Sequence, residues 1–329
     1  MLRIYVTEIF TYDGMAVLNP FMSENDFDEL DNTFSMYSQI DSYMYAFQDE
    51  IHLYHDNEEI NVNIIVPNEV SELDNYFTLV NRKTNDELLL SNEGIIINEK
   101  LANLLALDVN HYLQFDNSLG NKANLKITGI TENYTYHFIY ISPELYKQSV
   151  NDYRNNVAYM KFQNNDFYED ILKEKNILSL VLSEDNKEIF QESSRNLTSI
   201  VVLIIIAAAL LAFVVLYNLA NINITERNKE LLTFKVLGMT DTELTLYIAR
   251  ESIFSTVIGI GIGLLVGVFF LDYVIKVIEY KDIMFLQEIN ALSYILTTIL
   301  TIVFSSIVSF IFHWKLRALD MVEAMKSAE

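Results

Sequence analysis

The sequence predicts two parts, an α+β domain over residues 1–183 and an all-α membrane domain with three transmembrane helices. Charge separates the two parts, because residues 1–196 hold 13 Lys and Arg against 33 Asp and Glu, whereas residues 197–329 hold 9 against 12. The first part contains short apolar or alternating segments that are typical of strands. The second part contains three apolar runs of about 20 residues, the length of a helix that crosses a bilayer.

The composition excludes several classes of function. A formal net charge of −23 argues against nucleic acid as a partner, because phosphates are bound by Lys and Arg. The chain has no cysteines, which excludes disulfides, thiolate metal sites and cysteine nucleophiles. No pair of carboxylates can be singled out for acid–base catalysis, and there is no G-x-x-x-x-G-K-[ST] phosphate loop. We therefore predict no catalytic, cofactor-binding or metal-binding residues.

His52 and His55 are the strongest metal-ligand candidates, with Glu50 nearby. They lie in a strand-like run, in which residues three apart point to opposite faces of a sheet. This spacing does not favour a zinc site.

The first part begins with strand-like and helical segments in alternation. Strands are predicted at Leu2–Phe10, Tyr45–Tyr54, Ile60–Pro67, Glu87–Leu90, Ile95–Asn98, Val157–Phe162 and Ile177–Ser183. A strand meander is predicted from His111–Phe115, Asn124–Ile130 and Tyr136–Ile141. Helices are predicted at Glu99–Leu107, Ser142–Val150 and Asp166–Lys175, and Met22–Thr33 is either a loop or a surface helix. Ser142 is the predicted N-cap of its helix, with Pro143 at the first position.

From Glu184 the pattern becomes helical, which predicts a helical stalk over residues 184–198 and a membrane domain over residues 199–329. The spans are predicted at about residues 199–220, 252–278 and 290–314. They rest on the uncharged stretches Asn196–Thr225, Ser252–Leu271 and Ile289–Trp314.

Residues 221–251 form a charged island between the first two spans, which we interpret as a cytoplasmic coupling region. Thr225 is a plausible N-cap for a helix in this island. Gly238 can end that helix in the left-handed conformation. Thr240 and Glu243 then form a capping-box pattern, which begins the next helix. The island is thus predicted to be a helix, a tight glycine corner and a second helix that enters the membrane.

The first island helix carries more apolar surface than a solvated connector needs. Its apolar residues are Leu231, Leu232, Phe234, Val236 and Leu237. Packing against the inner membrane surface and docking of a partner protein both explain this surface. The pattern leaves the two alternatives open.

The second span carries a stripe of small residues at every fourth position: Ser255, Gly259, Gly263 and Gly267. Residues four apart share one face of a helix, and small residues let helix backbones approach closely in lipid. We predict that this stripe packs against another transmembrane helix.

The orientation follows from the Lys and Arg residues that flank the spans. The island holds Arg227, Lys229, Lys235 and Arg250, and the tail over residues 315–329 holds Lys315, Arg317 and Lys326. The loop Glu279–Ile289 holds only Lys281, whereas Lys187 and Arg195 run against the rule. We predict a multi-pass protein of the cell membrane, with the island and the C-terminus in the cytoplasm and the N-terminal domain outside.

The island resembles the FtsX-like (MacB-type) permease domain of ABC transporters. The similarity lies in Glu226, Arg227 and Glu230, followed by the segment Lys235–Gly238. A glycine-rich second span and the closing Asp320-Met-Val-Glu-Ala-Met-Lys fit the same family. The N-terminal part is more weakly similar to the extracellular domain of this family, through Gly94–Leu105 and Leu125–Ile130.

The resemblance implies a non-catalytic permease subunit without cofactors, in export or in mechanotransmission. Its implied partners are a cytoplasmic ABC ATPase, a second permease unit and membrane lipid. The residues implied in ATPase coupling are Glu226, Arg227, Glu230, Leu231, Phe234, Lys235 and Gly238. The family unit has four spans, the first of them before the extracellular domain. We therefore expect this chain to be the C-terminal part of a longer permease.

Two alternative functions differ in how well the sequence fits them. A membrane-anchored receptor or scaffold without a motor is consistent with the large acidic N-terminal domain. A membrane enzyme is disfavoured, because no catalytic constellation is present in the sequence.

Overall fold

The computed structural model describes residues 9–55, 58–279, 281–285 and 289–317. The chain divides into two compact units. The first extends to Arg195 and also includes the distant segment Glu279–Phe285, and the second begins at Asn196 and contains the long apolar helices. Each unit is described by itself.

The N-terminal unit is built on one mixed sheet. Its strands within the described residues are β1 (Gly14–Leu18), β2 (Ile40–His55), β3 (Glu58–Pro67), β4 (Ile95–Asn98), β5 (Tyr112–Asp116), β6 (Lys122–Thr131), β7 (Phe138–Tyr140), β8 (Val157–Phe162) and β9 (Ile177–Leu182). The strand order is β5-β6-β4-β7-β3-β2-β8-β1-β9. The pairs β3–β7 and β4–β6 are parallel, and the other neighbouring pairs are antiparallel.

The predicted meander is wrong in its last connection. Strands β5 and β6 pair as expected, in register from Tyr112 opposite Lys126 to Asp116 opposite Lys122. Strand β4 then lies between β6 and β7, and it pairs with β6 in parallel. The apolar run Ile95–Asn98 is buried along its whole length, which suits a central strand and not an edge.

Both faces of the sheet are covered, so neighbouring residues of one strand contribute to different hydrophobic clusters. Ile64 belongs to one cluster together with Ile95 and Ile97, whereas Ile65 belongs to a second cluster together with Ile96. This alternation is the period of two expected for side chains along a strand.

Short helices connect the strands. They are α1 (Glu24–Met36), a 3₁₀ helix (Val70–Asn75), α2 (Glu99–Leu104), α3 (Pro143–Ser149) and α4 (Tyr168–Ile171). Ser142 is the N-cap of α3, and its hydroxyl accepts from the backbone N–H of Leu145 at 3.4 Å, as the sequence predicts. Helix α1 shows that the polar stretch after Met22 is a helix and not a loop.

Two sequence predictions for this unit need correction, and a third lies mostly outside the described residues. Glu87–Leu90 is not a strand, and only Glu87 forms an isolated bridge, with Val80. The helix predicted at Asp166–Lys175 is confined to α4, because turns occupy the residues around it. The sequence did not predict strand β1, and residues 2–8 of the predicted strand Leu2–Phe10 lie outside the described residues.

The second unit contains the long helices α5 (Ser183–Glu226), α6 (Asn228–Val236), α7 (Asp241–Ile278) and α8 (Ala291–Arg317). Among the described residues, three segments are long and apolar enough to cross a membrane: Ser199–Leu219, Ile253–Val277 and Ala291–Ile311. Their length and composition confirm the three predicted spans. Helix α5 begins directly after β9 and continues without a break through the predicted stalk.

Candidate functional site

The first helix of the charged island begins two residues later than the sequence predicts. Helix α5 runs through Glu226, and α6 begins at Asn228 after Arg227, whose φ and ψ are −97° and 9°. Thr225 is therefore not an N-cap. Its hydroxyl donates to the carbonyl oxygen of Asn221 at 2.9 Å, a contact between residues four apart within α5.

The C-terminus of α6 is closed by a Schellman motif around Gly238. The N–H of Gly238 donates to the carbonyl oxygen of Lys235 at 3.2 Å, and the N–H of Met239 donates to that of Phe234 at 3.1 Å. The φ of Gly238 is +97°, in the region that favours glycine. The predicted glycine corner is thus present in the structure.

A complete capping box begins α7. The backbone N–H and the hydroxyl of Thr240 each donate to Oε2 of Glu243 at 2.9 Å. In return, the N–H of Glu243 donates to the Thr240 hydroxyl at 3.4 Å. The bond from the Thr240 backbone lowers the pKa of the Glu243 carboxyl most, and the bond from the Thr240 hydroxyl lowers it further. The box fixes the direction in which the chain leaves the corner.

The inner face of α6 packs against other parts of the same chain. Leu231 is 1% exposed and forms a cluster with Leu244 of α7 and Val308 of α8. The half-buried residues around this cluster are Phe213, Leu216, Tyr217 and Phe234. The ring of Phe234 also meets that of Tyr247 edge-on, with centroids 5.5 Å apart. We call Leu231, Leu244, Val308 and these four residues the island core.

The outer surface at the end of α6 is apolar. Val236 is 62% exposed, Leu237 77% and Met239 39%. We call these three residues the apolar corner. Sequence reasoning noted Val236 and Leu237 as apolar but left them, and Met239, out of the candidate site. The available signal was that these three apolar residues flank a glycine that ends a helix.

The other candidate coupling residues lie at the end of α5, between α5 and α6, and within α6. Glu226 and Glu230 are exposed, whereas Arg227 and Lys235 are half-buried. The side chain of Leu232 and the tail segment from Asp320 onward lie outside the described residues.

The small-residue stripe of α7 lies on an exposed face. Ser255, Gly259, Gly263 and Gly267 are all exposed. A Cβ atom added at any of the three glycines would meet no described atom within 4 Å. Helix α7 is joined to α8 elsewhere, through the hydroxyls of Thr256 and Ser305 at 3.1 Å. No partner for this stripe lies among the described residues, so the packing role stays a prediction.

His52, the first histidine of the pair in β2, contacts side chains of the neighbouring strand. Nδ1 of His52 lies 2.9 Å from Oδ1 of Asn61 and 3.1 Å from Oε1 of Glu59, both on β3. Within the described ranges, no group of three or more His, Cys, Asp or Glu side chains could hold a metal ion.

The family comparison covers the island and its spans. Residues 202–321 match the family described as FtsX-like permease C-terminal. This region is an FtsX-like permease domain. The match begins within α5 and includes α6, the apolar corner, α7 and α8. No curated protein sequence matches the chain.

Two solved structures are similar to the chain at low sequence identity. One is the periplasmic region of MacB from Actinobacillus actinomycetemcomitans, at 13% identity and a TM-score of 0.33, covering 56% of this chain and 95% of that one. The other is the extracellular domain of the noncanonic ABC-type transporter YknZ from Gram-positive bacteria, at 15% identity and a TM-score of 0.30, covering 47% and 87%. The permease domain itself rests on the family match.

Proposed function

We propose that this chain is the permease subunit of an ABC transporter, and that its apolar corner receives movement from a cytoplasmic ATPase. The supporting observation is the combination of a braced helix and an exposed apolar end. Leu231 anchors α6 in the island core, while Leu237 is 77% exposed beside the Gly238 corner. A surface of this kind suits a contact that must transmit force, because the helix is packed against three others and cannot yield independently.

The structure suggests a division of roles among the predicted coupling residues. Leu231 and Phe234 would brace the helix from inside, since both belong to the island core. Val236 and Leu237 would meet the ATPase directly. The exposed carboxylates Glu226 and Glu230 would set the register of that contact through charge.

Helix α5 would carry the movement to the N-terminal domain. Its 44 residues span about 66 Å at the rise of an α-helix. Its first residue is fixed to the sheet, because the N–H of Ser183 donates to the carbonyl oxygen of Asp13 at 2.8 Å and its hydroxyl donates to that of Tyr12 at 2.9 Å. Movement at the island would thus reach β1 and β9 without passing through a flexible linker.

The proposed topology places the N-terminal domain outside the cell and the island in the cytoplasm. It is supported by the Lys and Arg distribution of the flanks. It is also supported by the segment Glu279–Phe285, which follows the second span and belongs to the same compact unit as the N-terminal domain. Two spans separate this segment from β9, as expected when both are on one side of the membrane.

The remaining partners follow from the same proposal. ATP hydrolysis would be the task of the ATPase, and the permease would work by export or by mechanotransmission to a protein outside. A second permease unit, next to membrane lipid, would meet the exposed stripe of Ser255, Gly259, Gly263 and Gly267.

Charge insertion at the apolar corner tests the proposal. Leu237→Asp is expected to abolish co-purification with the partner ABC ATPase, and to abolish stimulation of its ATP hydrolysis in membrane vesicles. Leu178→Asp is the matched control, since Leu178 is 60% exposed on β9. Unchanged association and stimulation in a correctly inserted Leu237→Asp variant would contradict the coupling role. Absence of any ATPase partner for the wild type would favour a receptor or scaffold.

A further inference from the structure

The segment Glu279–Phe285 adds a short strand-like contact to the N-terminal domain. We call this segment the strap. Ile283 forms an antiparallel bridge with Thr135. The N–H of Tyr136 donates to the carbonyl oxygen of Asp282 at 2.7 Å, and the N–H of Met284 donates to that of Tyr134 at 2.9 Å. Met284 is only 7% exposed, so the strap is packed and not merely adjacent.

Glu279 holds the first end of the strap. Its Oε1 lies 3.2 Å from Nζ of Lys100, and the two side chains are only 17% and 10% exposed. The same oxygen accepts the backbone N–H of Phe285 at 3.3 Å, which joins the two ends of the strap. A carboxylate and an ammonium buried to this degree are stable only as a pair.

Two more charged residues of the strap reach other parts of the domain. Nζ of Lys281 lies 2.8 Å from Oε2 of Glu58, the first residue of β3. Oδ1 of Asp282 lies 3.5 Å from Nε2 of His137, whose side chain is fully buried just before β7. The strap thus contacts α2, β3 and the segment that leads into β7. A loop that only returned the chain to the membrane would not need these contacts.

The strap begins directly after α7, which ends at Ile278, and it precedes α8, which begins at Ala291. We propose that the strap is a second mechanical connection, through which movement of α7 and α8 reaches the N-terminal domain independently of α5. This inference rests on the proposed function. The N-terminal domain is thus connected to the membrane helices at two separate places in the chain, after β9 and at the strap.

Cysteine pairs test the contact itself, because the 329 residues of this chain contain no native cysteine. Thr135→Cys with Ile283→Cys places two cysteines opposite each other in an antiparallel bridge, where Cα atoms are about 4.5–5.5 Å apart. That separation suits a disulfide. Mild oxidation of membrane vesicles is expected to give the cross-linked peptide in mass spectrometry. The control pair is Tyr54→Cys with Glu59→Cys, opposite residues of β2 and β3. Cross-linking of the control pair alone would overturn the inference.

Charge reversal tests the ionic connection. Lys100→Glu and Glu279→Lys, each combined with the buried reporter Met284→Cys, are expected to raise the rate of maleimide labelling at least about tenfold, equivalent to about 1.4 kcal/mol. The double variant with both reversals is expected to return the rate toward that of the reporter alone. A rate that stays at the reporter's own value in both single variants would overturn the inference. So would a double variant labelled as fast as the single ones.

Hydrogen exchange of the N-terminal domain tests the transmission. The vanadate-trapped complex with the ATPase is compared with the nucleotide-free complex. The wild type is expected to show an ATP-dependent change in β2 and β3, and Lys100→Glu is expected to reduce it at least twofold while still binding the ATPase. An equal change in Lys100→Glu would overturn this inference alone. No change in the wild type would overturn the proposed function and the inference with it.

Discussion

Nζ of Lys100 lies 3.2 Å from Oε1 of Glu279, so that the first turn of α2 in the N-terminal domain is joined to the strap that follows α7. Both side chains are largely buried. Removal of one partner therefore leaves an unpaired charge in a place from which water is mostly excluded. Two predictions concern this region, and two concern glycines in the corner and the sheet.

The first prediction is that Glu279→Gln loosens the strap. Loss of one partner of a buried pair costs about 3 kcal/mol, which corresponds to exchange on the order of 100-fold faster for amides that depend on the contact. The amides to follow are those of Tyr136 and Met284, which span the bridge between strap and domain. Asp170→Asn is the control, because Asp170 and Lys173 form an exposed pair at 2.6 Å, and exposed ion pairs contribute little to stability. Equal effects of the two variants would contradict the assignment.

The second prediction concerns pH. Burial lowers the pKa of the His137 imidazole below its ordinary value of 6.5, against the opposing effect of Asp282 and with a smaller contribution from Lys100. The carbonyl of Lys281 also faces the ring. The folded state therefore binds this proton less readily than the unfolded chain does. The resulting stability is present above about pH 6.5 and is lost as the pH falls toward the lowered pKa.

Thermal unfolding between pH 7.5 and pH 5 measures this effect. His137→Gln is expected to show a smaller decrease of the midpoint than the wild type over that interval. His111→Gln, at an exposed position, is expected to keep the wild-type decrease. The same decrease in His137→Gln as in the wild type would show that His137 does not contribute.

The third prediction concerns the Gly238 corner. Alanine at a φ of +97° is strained by about 1–2 kcal/mol, so Gly238→Ala is expected to disturb the Schellman motif and to reduce stimulation of the ATPase severalfold. Gly238→Asn is expected to retain more activity, because asparagine tolerates this region better. Gly120→Ala is the control, since Gly120 has a φ of +81° in the turn between β5 and β6. If both alanine variants reduced stimulation equally, the effect would not belong to the corner.

The fourth prediction concerns the close approach of Gly94 to β6. A Cβ atom on Gly94 would collide with the carbonyl oxygen of Lys126 and lie 2.7 Å from Cγ2 of Thr128. Gly94→Ala is therefore expected to destabilise the N-terminal domain by about 1–3 kcal/mol, as measured by thermal unfolding. Gly129→Ala is expected to cost less, because its neighbour at 3.2 Å is the flexible end of Leu88. A smaller loss for Gly94→Ala than for Gly129→Ala would contradict the packing described here.

Local signals in the sequence were sufficient to predict where several helices begin and end. Gly238, the Thr240–Glu243 box and the Ser142 cap act within one helical turn, so their residues alone determine them. The spans were also predictable from local sequence, because an uncharged apolar run of about 20 residues is typical of a transmembrane helix.

Long-range pairing was not predictable in the same way. The insertion of β4 between β6 and β7 depends on which strands bury each other, and the sequence pattern does not encode that choice. Leu231 was recognised as apolar, but its position against Leu244 and Val308 depends on the packing of α7 and α8. The strap was read only as a short outer loop, because Glu279 and Lys100 are remote in sequence and each looks like a solvated charge by itself.

The central claim is that the apolar corner contacts a cytoplasmic ATPase. The most direct measurement places a photoreactive amino acid at position 237 of the full-length protein in cells, with position 178 as the exposed control. Irradiation followed by mass spectrometry is expected to give a cross-link from position 237 to a soluble ATPase, and none from position 178. Cross-links from position 237 to lipid alone, in cells that contain the partner ABC ATPase, would contradict the account.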